Sequence, residues 1–220
     1  MNNFFLDLCS GIVPWYVIAV SAVGTYFLGN VNPAILIGRA KGIDIREQGS
    51  GNAGATNAAR SLGKKAGAIT FLIDVLKGWI GFYILIAIWG NTALAPAMLC
   101  GLCVCLGHMY PAIFGFRGGK GVATVFGVLL GASWLYALIL FGIVIVFTLI
   151  FRRVSLSVMI AVAAALVLVF MSSYGVIGIT EVQPLWIIIL MALVVWKHRS
   201  NIKRLVKGEE PKLSFGSKKA

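Results

Sequence analysis

Acidic residues are scarce in this chain, seven in 220, and charged residues of both signs reach only 12%. An ordinary soluble domain carries about 25%. So little charge cannot coat a water-soluble globule of this size. Disorder is excluded as well, because it requires low hydrophobicity and high charge, and 60% of these residues are hydrophobic. Cysteine is limited to Cys9, Cys100, Cys103 and Cys105, the last three within one apolar run. Cys100 and Cys103 have C-x-x-C spacing, but no second pair or histidine cluster completes a metal site. They read as small apolar helix residues, and no disulfide framework is expected. No basic segment precedes the first apolar run, so the N-terminus reads as retained. The 26 glycines show no period of three, which excludes a collagen-like chain.

What is plentiful is apolar sequence and positive charge. The net charge is +12, yet the aromatics lie in apolar runs rather than between basic residues, which argues against nucleic acid as a partner. A bilayer core about 30 Å thick needs about 20 apolar residues per spanning helix. Apolar runs extend over 12–37, 66–89, 93–106, 156–171 and 185–196. Pro33, Asn30 and Asn32 predict an irregular end to the first. The stretch 122–151 carries no charge and would make a single helix of about 45 Å, too long for the core. A turn at Gly131-Ala132-Ser133-Trp134 divides it into a short fourth span and a fifth, 135–151. A polar link with Glu181 and Pro184 precedes the seventh. Eighteen of the nineteen Lys and Arg then fall after spans one, three and five or in the tail, Lys77 being the exception. The positive-inside rule places those regions in the cytoplasm. The expectation is an all-α, polytopic integral membrane protein: a single domain over 1–220, seven transmembrane helices, N-terminus outside and C-terminus cytoplasmic.

Polar residues suited to chemistry collect on that cytoplasmic side. In the segment 48–60, Gly49, Gly51 and Gly54 allow the backbone to turn N–H groups inward as an anion nest. Ser50, Asn52, Thr56 and Asn57 add hydroxyl and amide donors, and Arg60 adds a two-pronged cation. It is not a Walker A loop, since Ala55 stands where Lys is required. A flexible polar loop is the alternative, but the density of donors favours phosphate. A second glycine cluster, Gly118, Gly119 and Gly121, surrounds Lys120 at the start of the fourth span, where a helix N-terminus adds its positive end. His108 nearby reads as a capping or packing histidine rather than a catalytic one. In Arg153-Val154-Ser155-Leu156-Ser157, Ser155 is either a helix N-cap or a substrate donor. His198 and Asn201 share a helix face below the seventh span; anionic headgroups account for the basic residues around them, but not for this pair. Gly208-Glu209-Glu210-Pro211 reads as a turn folding back. Asp74 and Lys77 lie within the second span and read as an ion pair, with Lys77 able to snorkel toward the interface.

The strings GSGNAGATNAAR (49–60), DVLKG (74–78), GHMYPAIFGFRGGKGVAT (107–124), RVSL (153–156) and HRSNIKRLVKGEEPK (198–212) resemble those of the PlsY-type bacterial acyl-phosphate:glycerol-3-phosphate acyltransferases. The resemblance runs the full length. It implies seven spans with the N-terminus outside, a multi-pass location in the bacterial cytoplasmic (inner) membrane, and an active site facing the cytoplasm. The implied reaction moves a fatty acyl group from acyl-phosphate to the 1-hydroxyl of glycerol 3-phosphate, giving lysophosphatidate and inorganic phosphate. This is the first acylation of phospholipid synthesis. The implied partners are the two substrates, membrane lipid and an upstream enzyme producing acyl-phosphate; no metal or cofactor is implied. Carried over by position, Ser50 and its neighbours Gly51, Asn52, Gly54, Thr56 and Asn57 hold the donor phosphate. Arg60, Lys120, Ser155, His198 and Asn201 hold and orient glycerol 3-phosphate, with Gly118, Gly119 and Gly121 lining the site. Glu210 matches the acidic tail position, with Glu209 beside it where the family more often has Thr.

The His-x4-Asp dyad of other glycerolipid acyltransferases is absent: Ile113 follows His108 and Lys203 follows His198 at that spacing. With a reactive mixed anhydride as donor, positioning suffices. A transporter of phosphorylated metabolites is the alternative, but it predicts paired broken helices and midplane polar residues that this sequence lacks.

Overall fold

The computed structural model describes residues 12–179, 182 and 184–213, so Cys9 and Glu181 lie outside the described residues. Among the described residues the chain is helical, without strands. Two compact units follow one another, divided between Ala132 and Ser133.

The first unit contains α1 (Trp15–Asn30), α2 (Pro33–Ala40), α3 (Ala55–Ser61), α4 (Lys64–Trp89), α5 (Leu94–Met109) and α6 (Val122–Ala132). The expected irregularity of the first apolar run is a break at residues 31–32. Pro33 has no N–H to continue α1 and instead opens α2, which Asn32 caps by accepting the Ile35 N–H at 3.1 Å. The polar segment between the first two apolar runs contains the short helix α3. Its sequence ATNAARS is polar and too short to show apolar periodicity.

α5 packs against α1 and α4, and α6 packs against α4. Between apolar helices in lipid, small residues permit close approach. A methyl group on Gly29 of α1 would meet Val104 O and Gly107 Cα of α5, and one on Gly107 would meet Tyr26 O.

The second unit contains α7 (Trp134–Phe151), α8 (Val154–Ser173), α9 (Pro184–Lys197) and α10 (Arg199–Val206). The turn expected at 131–134 is present: α6 stops at Ala132, and Ser133 caps α7 by accepting the Tyr136 N–H. α8 packs against α7, α9 and α10, and the buried Tyr136 of α7 donates to Ala165 O of α8 at 2.6 Å.

Four stretches are long and apolar enough to cross a membrane: Trp15–Ala40, Lys64–Phe114, Trp134–Phe151 and Val154–Ser173. The second contains both α4 and α5. α9 and α10, bent by 61° at their junction, make a fifth if taken together. α6, at 11 residues, is about 16 Å long at 1.5 Å per residue. Cys100, Cys103 and Cys105 are free thiols on α5, in keeping with the helix-residue reading.

Gly107→Val forces α1 and α5 apart. Overpacking of this kind costs about 1–3 kcal/mol, and a lowered thermal midpoint of the detergent-solubilised protein is the expected result.

Candidate functional site

In the first unit the loop between α2 and α3 folds on its own polar groups. Asp44 caps the turn Ile45–Glu47 by accepting the Arg46 N–H at 2.9 Å, and both carboxylate oxygens receive the Arg46 guanidinium at 2.7–3.2 Å. That guanidinium holds the Asp44 carboxyl down, to about 2. Arg46 Nη1 also donates to Phe114 O at 2.9 Å, tying this loop to the segment after α5. Beneath lie Ala34, Ile35, Ile45, Ala53, Ala58, Leu62, Ala66 and Phe114, a small apolar core.

Gly49 and Gly51 adopt φ of +57° and +68°, the left-handed region expected of them. The expected inward nest of N–H groups takes a different form. Ser50 N–H donates to Asn57 Oδ1, Gly51 N–H to Gln48 O and Gly54 N–H to Asn52 O. Asn57 is buried, and its amide nitrogen donates to Ile45 O at 3.1 Å and Gln48 O at 2.9 Å. Asn57 therefore holds the loop in shape, because the loop's tight turns leave carbonyls that only a side chain reaches. Ser50, Thr56 and Arg60 are exposed and Asn52 is half-buried.

The second glycine segment meets the first. Gly119 N–H donates to His108 O at 3.1 Å. A methyl group on Gly119 would strike the His108 imidazole and come within 2.9 Å of Ala53 O. Asn32 Nδ2 donates to that same Ala53 carbonyl at 3.2 Å. Gly121, at φ +81°, leads directly into α6, as expected of a loop at a helix N-terminus. Gly118 and Lys120 are half-buried, and Gly119 and Gly121 are buried.

Asp74 and Lys77 are ion-paired at 2.7 Å, as expected. Lys77 does not snorkel: it is 2% exposed, and Nζ donates to Val31 O at 2.6 Å and Gly29 O at 3.2 Å and lies 2.9 Å from His108 Nδ1. Local acceptors make reaching for water unnecessary. His108 is a packed, buried side chain, 3.3 Å from Asp74 Oδ1.

The second unit gathers a separate cluster on Glu210. Ser155 Oγ donates to Oε1 at 2.6 Å, Asn201 Nδ2 to Oε1 at 2.6 Å and Arg204 Nε to Oε2 at 2.8 Å. Arg153 Nε donates to the Glu210 carbonyl at 3.2 Å. Ser155 is not the N-cap of α8; Arg153 occupies that position, and Ser157 turns back to Arg153 O. The fold-back at 208–211 is present, with Gly208 at φ +74° and Glu209 N–H on Arg204 O. Glu210 is buried and Glu209 exposed, so Glu210 is the glutamate joined to Ser155 and Asn201. Burial pushes the Glu210 carboxyl up, but the three side-chain hydrogen bonds and the Arg204 charge outweigh it and hold the carboxyl below its usual range. His198 and Asn201 are both buried, and His198 Nδ1 donates to Val194 O at 2.8 Å, which fixes the ring.

Two residues of these clusters, Asp44 and Arg46, had no role in the sequence reading, and Arg204 was read only as part of a basic tail suited to anionic headgroups. Asn32 was legible only as a helix interruption, although Asn followed by Pro is a helix-start signal.

Glycine-rich polar loops and a buried carboxylate cluster on a helical scaffold with several apolar spans define a multi-pass membrane protein. Residues 19–208 match the profile of the glycerol-3-phosphate acyltransferase family. The glycerol-3-phosphate acyltransferase of Alkaliphilus metalliredigens is 41% identical over 195 residues, covering 87% of this chain and 93% of that one. Crystal structures of PlsY, an integral membrane glycerol 3-phosphate acyltransferase, are similar at 37% identity, covering 90% of this chain and 96% of that one. The TM-score is 0.82 for the glycerol 3-phosphate form and 0.79 for the lysophosphatidic acid form. The chain belongs to the glycerol-3-phosphate acyltransferase family, and is of the PlsY type.

A carboxyl held below its ordinary value of 4.5 stabilises the fold fully above that value, and the contribution is lost as the pH falls toward the lowered one. Acidification is expected to lower the thermal midpoint of the wild type through this range. Glu210→Gln is expected to start lower at neutral pH and to change less on acidification.

Proposed function

We propose that this chain transfers a fatty acyl group from acyl-phosphate to the 1-hydroxyl of glycerol 3-phosphate, releasing lysophosphatidate and inorganic phosphate. Relatives named for glycerol 3-phosphate support the acceptor, and the PlsY structure in a lysophosphatidic acid form supports the product class. The observation that carries most weight is the meeting of two glycine-rich loops at Ala53 and Gly119, with Lys120 the next residue in the chain. A reaction in which both substrates carry phosphate calls for such a pair of loops.

Ser50, Gly51, Asn52, Gly54 and Thr56 contact the donor phosphate in this reading, and Asn57 supports them by shaping the loop. Arg60 and Lys120 supply positive charge, while Gly118, Gly119 and Gly121 let the backbone approach the substrate. Ser155, His198 and Asn201 orient the glycerol portion. Ser155 donates its hydroxyl hydrogen bond to Glu210, which leaves its oxygen as the acceptor for a substrate hydroxyl. In this reading residues 1–220 make up a single acyltransferase domain.

The acceptor hydroxyl attacks the acyl carbon, the new ester C–O bond forms, and the bond to the phosphate oxygen breaks. The departing phosphate takes the hydroxyl proton, with the cations stabilising the developing charge. Seven crossings of the bacterial inner membrane, N-terminus outside, put this chemistry on the cytoplasmic side. The soluble acceptor arrives there, and an upstream enzyme supplies acyl-phosphate. The distribution of the basic residues supports that orientation.

Purified protein given palmitoyl-phosphate and glycerol 3-phosphate is expected to release inorganic phosphate only when both are present. Uptake of glycerol 3-phosphate into proteoliposomes without acylated product would instead establish transport. Arg60→Ala and Lys120→Ala are expected to lower kcat/KM by about ten- to a hundredfold, as loss of a charge-assisted contact does, without a change in thermal midpoint. His198→Gln with near-normal turnover would exclude His198 as the general base; a collapse in kcat with unchanged KM would assign that role to it.

A further inference from the structure

We infer that Lys77, with Asp74 and His108, is a positioning device that sets the spacing of the two glycine loops; as a role in catalysis, this rests on the acyl-transfer reading above. Lys77 is a positioning residue rather than a catalytic one, since it acts through the groups it holds.

The break between α1 and α2 explains what Lys77 binds. A helix continuing through residues 29–35 would bond Gly29 O to the N–H of residue 33, but Pro33 has none. It would bond Val31 O to the Ile35 N–H, which is taken by Asn32 Oδ1. The break thus leaves two carbonyls without backbone donors in an apolar setting, and Lys77 Nζ donates to both. An ammonium has three donors and no acceptor. Asp74 balances its charge at 2.7 Å, and His108 Nδ1 is within 2.9 Å. Asp74, Lys77 and His108 are each 2% exposed. A charge at such depth is costly without partners, so these contacts are held firmly.

Each arm of this arrangement ends at a glycine loop. On one side, the Gly29–Val31 carbonyls fix Asn32, whose amide donates to Ala53 O in the first loop. On the other, His108 receives the Gly119 N–H on its carbonyl, and its ring fills the space a side chain at 119 would need. Lys120 is the next residue. One buried ammonium therefore links both loops through two short chains of contacts, all within the first unit.

The test is the double variant Asp74→Asn/Lys77→Met, which removes both charges together and leaves none unpaired. It is compared with wild type by palmitoyl-phosphate and glycerol 3-phosphate kinetics, and by amide hydrogen exchange at residues 49–54 and 118–121. The expected result is a single folded species with KM for both substrates raised about tenfold or more, as small misplacements produce, and faster exchange at both loops. Wild-type KM values, or loosening of one loop alone, would overturn the inference. Should the double variant fail to fold, His108→Leu is measured in its place: raised KM with faster exchange at 118–121 supports the inference, and wild-type behaviour overturns it. Should the wild type release no phosphate, the acyl-transfer reading falls, and exchange alone decides. Joint loosening of both loops then supports their common anchor, and unchanged exchange refutes it.

Discussion

An ammonium inside an apolar helix must be met by acceptors wherever it sits, because no water is present to replace them. In this protein that requirement and the break after α1 answer each other. Pro33 removes a donor, Asn32 takes another, and Lys77 fills the resulting gaps. Neither feature is comfortable alone. A charged residue in α4 without the break would lack neutral partners, and the break without Lys77 would leave bare carbonyls. The polar loops of the first unit stand on this mutual satisfaction.

The second unit follows the same logic with the opposite charge. Glu210 is a buried carboxylate, and a hydroxyl, an amide and a guanidinium converge on it. Hydrogen bonds to the charged form outweigh burial and keep it ionised. The carboxylate also determines which way its neighbours face. Ser155 points its hydrogen inward, and Asn201 turns its amide nitrogen the same way, so rotamers that sequence leaves open become fixed.

Much of the helical layout was legible because apolar runs and their interruptions report directly on burial in lipid. The division near Ser133 followed from the length of the uncharged stretch together with the turn residues at 131–134. α3 escaped notice because seven residues, four of them polar and three alanine, are too few to show an apolar period. The role of Asn57 was also hidden. An amide in a glycine-rich loop reads equally well as a ligand donor or as a staple, and only the positions of the Ile45, Gln48 and Ser50 backbone groups distinguish them. Whether Ser155 caps α8 or faces elsewhere was open for the same reason. Adjacent or alternate polar residues differ only in the direction they face, which tertiary packing decides.

The pairing of Ser155 with Glu210 joins residues 55 apart in sequence. During synthesis the ribosome adds about 5–20 residues per second, so the serine leaves the exit tunnel some seconds ahead of its partner. Throughout that interval the hydroxyl must find a temporary acceptor, and the Asn201 amide, made later, has a shorter wait. The carboxylate-centred cluster therefore cannot form until Glu210 has been made, after the apolar helices α7, α8 and α9.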